Sequence, residues 1–71
     1  MTNIRYVKAV STEMVFDDNQ QPGNRYIGDV WHDDEQSAML GLPYWNINNG
    51  TTYLWGFNSR EAAVSALIGE K

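Results

Sequence analysis

Seventy-one residues with nine Asp and Glu against five Lys and Arg make an acidic chain of formal net charge -4, with one His and no Cys. That length limits it to a single domain over 1–71, and the lack of cysteine excludes disulfides, thiolate metal sites and thiol chemistry. A chain this short buries only about 60% of the surface its unfolded form exposes, so stability must come from a dense aromatic core or from self-association, and three Trp, four Tyr and two Phe supply the first.

The opening Met-Thr-Asn-Ile-Arg-Tyr-Val-Lys alternates polar and apolar residues and lacks the unbroken apolar region of a signal peptide. From Ile4 to Phe16 the period is two, placing Ile4, Tyr6, Val10, Met14 and Phe16 on one side of a strand, possible as one long strand bent near Ser11 and Thr12. Asp17 to Asn24 gathers turn-forming residues around Pro22-Gly23 and reads as a connecting loop. Arg25 to Trp31 alternates again, with Tyr26, Gly28 and Val30 opposing Ile27, Asp29 and Trp31, as in a second strand.

His32 to Leu42 reads as a loop or as one helical turn that Asp33 or Asp34 caps, Gly41 ends and Pro43 keeps from continuing. Tyr44 to Asn48 and Thr51 to Phe57 flank Asn49-Gly50, the pair best suited to a two-residue type I′ turn. That turn pairs Asn48 with Thr51 and puts Tyr44, Asn46, Tyr53, Trp55 and Phe57 on one hairpin face, Trp45, Ile47, Thr52 and Leu54 on the other. A helix follows, with Asn58 and Glu61 spaced as a capping box, an apolar stripe through Ala62, Ala63, Val64, Ala66, Leu67 and Ile68, and Gly69 as its stop.

The expected fold is therefore α+β: a small antiparallel sheet of three to four strands with a C-terminal helix packed on one face, in the order β-β-(short helix)-β-β-α. The longest apolar-rich stretch, Ala62 to Ile68, is far below the roughly 18 to 20 residues of a membrane-spanning helix. The expected location is cytoplasmic, with no membrane association.

A sheet covered by one helix normally reads as apolar on one side and polar on the other. Here both hairpin faces hold large rings, and a short helix rich in alanine covers only one of them. Either strong twist folds the rings into one core, or the second face is an interaction surface, occupied by a partner protein or by a second copy of the chain as a homodimer. Tyr and Trp are enriched at interface hot spots, which favours Trp31, Tyr44, Tyr53 and Trp55 as binding residues.

Charge is segregated as well. Residues 11–36 hold Glu13, Asp17, Asp18, Asp29, Asp33, Asp34 and Glu35 against Arg25 alone, while Arg5, Lys8, Arg60 and Lys71 outnumber Glu61 and Glu70 in the rest. Such loops are either merely solvated or attract a basic partner. On the second reading Asp17, Asp18, Asp33 and Asp34 join the binding residues and steer the partner in.

His32-Asp33-Asp34-Glu35 is the one cluster with metal-ligand or acid-base chemistry, and in an extended chain His32 and Asp34 share a side that Asp33 does not. There is no Gly-x-Ser-x-Gly and no phosphate-cradling glycine motif. The chain is expected to be no enzyme and to need no metal or cofactor.

Tyr44-Trp45-Asn46-Ile47-Asn48-Asn49-Gly50 through Leu54-Trp55-Gly56-Phe57-Asn58-Ser59-Arg60-Glu61-Ala62-Ala63 loosely resembles, over under half the chain, the hairpin-plus-helix of recombinase arm-binding domains. That resemblance implies a sheet whose Arg and Lys read DNA, whereas no basic residue lies between Tyr44 and Phe57. Nucleic-acid affinity rests largely on phosphate neutralisation, so an accessory nucleic-acid-binding domain using the hairpin aromatics is the alternative reading. The leading one is a small acidic, non-enzymatic protein-interaction module, of the size and acidity of phage or mobile-element accessory and inhibitor proteins, that binds a basic partner surface through an aromatic sheet face.

Overall fold

The structure, a computed structural model, describes residues 3–69. Met1, Thr2, Glu70 and Lys71, and with them the two C-terminal charges, lie outside the described residues. Five strands, β1 (Ile4–Lys8), β2 (Glu13–Asp17), β3 (Tyr26–His32), β4 (Trp45–Asn48) and β5 (Tyr53–Phe57), form one antiparallel sheet in chain order. Helix α1 (Asp34–Leu40) lies between β3 and β4, and helix α2 (Arg60–Gly69) follows β5.

The α+β class and the C-terminal helix agree with the sequence reading; the sheet has five strands where three to four were expected. The added strand arises because Ile4 to Phe16 is a hairpin and not one bent strand. Ala9 N donates to Thr12 O at 2.8 Å, and Lys8 pairs with Glu13. This register sets Tyr6 opposite Val15, and directly opposed residues share a face. Ile4 and Tyr6 therefore lie with Val15, and Met14 and Phe16 point the other way.

Two irregularities reset the alternation elsewhere. Val15 pairs with Gly28 but Phe16 with Tyr26, so Ile27 is an inserted residue. Ile27 turns into the core, and Tyr26 swings to the opposite side, edge-on to Phe16 at a ring separation of 5.6 Å. Trp45 pairs with Phe57 but Ile47 with Leu54, leaving Trp55 and Gly56 opposite Asn46. Phe57 consequently packs against the core instead of joining Tyr53 and Trp55.

The β4–β5 turn departs from expectation for a local reason. A type I′ turn needs positive φ at both central residues, and only Gly50 has it, at 89°, since no non-glycine residue described does. Asn49 Oδ1 accepts from Thr51 N at 2.9 Å and Thr52 N at 2.7 Å, Asn48 Oδ1 accepts from Gly50 N at 2.7 Å, and Asn49 N donates to Thr52 O at 3.1 Å. These side-chain bonds replace the tight turn with a loop over residues 49–52, so Asn48 pairs with Tyr53 and not with Thr51.

Helix α2 is capped by Ser59, whose Oγ accepts from Ala62 N at 3.1 Å, one residue later than the expected Asn58 cap. Gly69, the expected stop, is its last described residue. Ala63, Val64 and Leu67 of α2 close the core against Val15, Ile27, Val30 and Ile47. Close approach is possible because Gly28 faces the helix: a Cβ there would lie 2.7 Å from Leu67 Cδ1 and 2.8 Å from Asn48 O, and its φ of 148° suits glycine alone.

Five strands span about 19 Å at their usual spacing, whereas one helix with its side chains is about 10 Å wide. α2 accordingly packs on β3, β4 and β5. The β1–β2 side of that face is roofed by Arg60, whose guanidinium lies 4.3 Å from the Tyr6 ring centroid and bonds the Glu13 carboxylate at 3.3 Å. No helix among the described residues is long and apolar enough to cross a membrane.

Candidate functional site

The sheet face turned away from α2 carries Met14, Phe16, Tyr26, Asp29, Trp31, Asn46, Tyr53 and Trp55, as the registers require. Its rings form two groups. At the end near the β2–β3 loop, the Arg5 guanidinium lies 4.6 Å from the Phe16 ring centroid, Phe16 meets Tyr26, and the Tyr26 hydroxyl donates to Asp29 Oδ1 at 3.0 Å. Burial, and then the bond to the Asp29 carboxylate, raise the Tyr26 phenol above its ordinary value of 10.0. Across β3 and β5, Trp31 meets Tyr53 edge-on at 5.7 Å, and Tyr53 meets Trp55 at 5.5 Å.

Tyr53 and Trp55 are 48% and 61% exposed. α1 only borders this face, through Gln36. There Asp33, Gln36, Tyr44, Asn46, Tyr53 and Trp55 line an open cleft of about 380 Å³. The backbone builds its walls. Asp33 N donates to Tyr44 O at 2.8 Å, tying the start of α1 to the start of β4. Gly56, with φ 85°, lets the β5 bulge run under Tyr44, whose ring would sit 3.7 Å from a Cβ at that position.

Asn46 lines the same cleft. Its residue is 1% exposed, and its Oδ1 is buried with no hydrogen-bond partner. Buried acceptors are nearly always paired, and leaving one unpaired costs about 1–3 kcal/mol. Beside it, Asp33, one of the two caps the sequence allowed, starts α1: its Oδ1 accepts from Gln36 N at 3.1 Å, and Gly41 ends the helix in the left-handed region at φ 72°.

The four expected acidic contacts separate into two places, because β3 runs about 20 Å between the loops that carry them. Asp17 is turned inward, 8% exposed, and accepts from Asn19 N at 3.0 Å and Gln20 Nε2 at 3.3 Å, so it organises the β2–β3 loop. Asp18 is held by Arg5 through two bonds of 2.9 and 3.1 Å, and those bonds keep its carboxyl below the ordinary 3.8. Arg25 Nε donates to Gln20 O in the same loop. At the other end Asp33, Asp34 and Glu35 follow one another, and among the described residues no Lys or Arg pairs with them.

His32 Nδ1 and Asp34 Oδ1 lie 2.6 Å apart, as their shared side of the chain indicated, while the His32 ring packs on Trp45 at 5.0 Å. Among the described residues no three His, Asp or Glu side chains converge as a metal set. A second cleft, of about 250 Å³, opens beside the β1–β2 turn between Lys8, Glu13, His32 and Trp45.

The structure thus brings Tyr44, Tyr53, Trp55 and Asp33 into one site with Trp31 adjoining through Tyr53, and leaves Asp17 and Asp18 outside it. Sequence reasoning put Asn46 on the face of Tyr44, Tyr53 and Trp55 without naming it as a binding residue, and it missed Gln36. The available signal was an amide in mid-strand between Trp45 and Ile47. Compared with protein families, curated proteins and solved structures, the chain matches none of them.

Proposed function

We propose that this chain is a small, non-enzymatic protein-interaction module that binds a basic partner surface through the open aromatic face of its sheet. The observation that carries this reading is the ring series Trp31, Tyr53 and Trp55 on the sheet face turned away from α2, at the end of the sheet where, among the described residues, no Lys or Arg pairs with Asp33, Asp34 or Glu35. Burying one such ring contributes about 1.5–3 kcal/mol, so two or three anchors give a useful affinity. Carboxylates without a Lys or Arg partner act over a Debye length of about 8 Å at physiological salt and supply orientation and encounter rate more than affinity. The same acids repel phosphate backbones, which sets the nucleic-acid reading second.

A titration of the protein with a twelve-residue peptide alternating Lys, Arg and Gly tests the proposal, beside a Glu-rich peptide of equal length and a single-stranded oligonucleotide. The expected result is salt-sensitive perturbation of the Trp31 and Trp55 indole signals by the basic peptide only, weakened at least tenfold in a folded Trp55→Ala protein. No response at low salt would sink the reading. A concentration-dependent dimer in sedimentation whose interface is this face would replace the partner with a second copy of the chain.

A further inference from the structure

Resting on that reading, we infer that the cleft between Asp33, Gln36, Tyr44, Asn46, Tyr53 and Trp55 is a pocket for a single arginine side chain of the basic partner.

Asn46 lines the cleft, and its Oδ1 is closed to solvent without a partner, so a ligand donor that reaches it between the rings supplies the missing hydrogen bond. The cleft's walls are three aromatic rings, whose faces attract cations and stack on planar groups. At its mouth stands the Asp33 carboxylate, one oxygen of which already accepts from Gln36 N while ionised carboxylates accept several bonds.

An acceptor below, π faces at the sides and negative charge at the entrance define the ligand's chemistry. It must be cationic, planar and rich in donors. Guanidinium meets all three: it carries five N–H donors in a plane, stacks on rings, and is more weakly hydrated than ammonium and so easier to desolvate. Lysine offers the charge without the plane. A nucleobase offers the plane but brings a phosphate to Asp33, Asp34 and Glu35, and no Arg or Lys lines the cleft.

The test uses acetyl-Gly-Arg-Gly-amide as probe, with lysine and citrulline in place of arginine, followed by amide and indole NMR shifts on the whole chain. Expected are shifts at Asn46, Tyr53 and Trp55, with affinity at least tenfold weaker for citrulline and several-fold weaker for lysine. Asn46→Leu, which fills the site without an acceptor, should lower arginine affinity about tenfold while raising the melting temperature. Asp33→Asn keeps an oxygen for the α1 cap and should also weaken arginine binding, whereas Glu61→Gln on the other layer should change nothing.

Equal binding of citrulline and arginine, or Asn46→Leu binding arginine as tightly as the unsubstituted protein, overturns the assignment. If the twelve-residue basic peptide still engages the aromatic face in those cases, only the pocket falls. If neither the peptide nor the tripeptide perturbs the face, the broader reading falls with it.

Discussion

On the face under α2, Val15, Val30, Ile47 and Leu67 are closed off from water, whereas on the opposite face the larger rings of Tyr53 and Trp55 stay wet. Ring size and hydrophobicity therefore do not decide burial in this protein. What decides it is that one ten-residue helix covers one layer, so branched aliphatic side chains that mesh with alanine occupy that side. The exposed side keeps flat amphipathic groups whose hydroxyl and indole N–H tolerate solvent. Stability and recognition are thus divided between two faces of the same strands.

Substitutions that separate the faces put this division at risk. The largest effect is expected at Gly28→Ala, where a positive φ and contacts under 3 Å to Leu67 and to backbone make strain and overpacking add; urea unfolding should show a loss of about 4 kcal/mol. Leu67→Ala opens a cavity beneath α2 and should lose about 3 kcal/mol in the same assay. Either loss is a large share of the ~4–10 kcal/mol expected for a domain of this size.

Open-face changes should behave differently. Asn46→Leu removes a buried orphan acceptor and is expected to stabilise by about 1 kcal/mol, and a loss of similar size would show that the amide is satisfied structurally. Trp55→Ala deletes the biggest side chain of all, yet should shift unfolding by less than about 1 kcal/mol because the ring is mostly in solvent. If Trp55→Ala costs as much as Leu67→Ala, the two faces are not separate.

The smallest effect is electrostatic. Arg5 holds the Asp18 carboxyl below 3.8 in the folded state, so the contribution of this pair is present above that value and is lost as pH falls through the lowered folded pKa. An NMR titration of Asp18 should show a midpoint below 3.8 that returns toward 3.8 in Arg5→Ala. The stability change should be slight, since both side chains are solvated.

Element identity was legible where a local signal settles it, as the period-two run through Val30 does for β3. Cap chemistry at Asp33 or Asp34 and Gly41 left the next stretch open between a loop and one helical turn, and the structure resolves it as the seven-residue α1 capped by Asp33. Facing was legible only up to the first irregularity. Ile27 and the Trp55-Gly56 pair each insert one residue, and an inserted residue reverses every side chain beyond it. Such bulges are selected by packing under α2, through Gly28 and Phe57, and that information is spread along the chain. The site was readable in part: Tyr53 and Trp55 precede the reversal on β5 and Tyr44 immediately precedes β4, which carries no extra residue, so all three keep their expected face, whereas the burial of Asn46 in the cleft they share with Asp33 and Gln36 is a tertiary property.

Strand order that follows chain order also has a kinetic meaning. Consecutive strands pair across loops, or across the segment holding α1 between β3 and β4, and loop-closure entropy rises only slowly with length, so the ladder zips between sequence neighbours. Among the contacts most distant in sequence are those of Arg60 in α2 with Tyr6 and Glu13, beside the packing of α2 on β3 and β4. Mostly local pairing of this kind favours rapid folding. It shortens the time in which bare aromatic ribbons from different molecules could meet and adhere before each chain has closed its own interior.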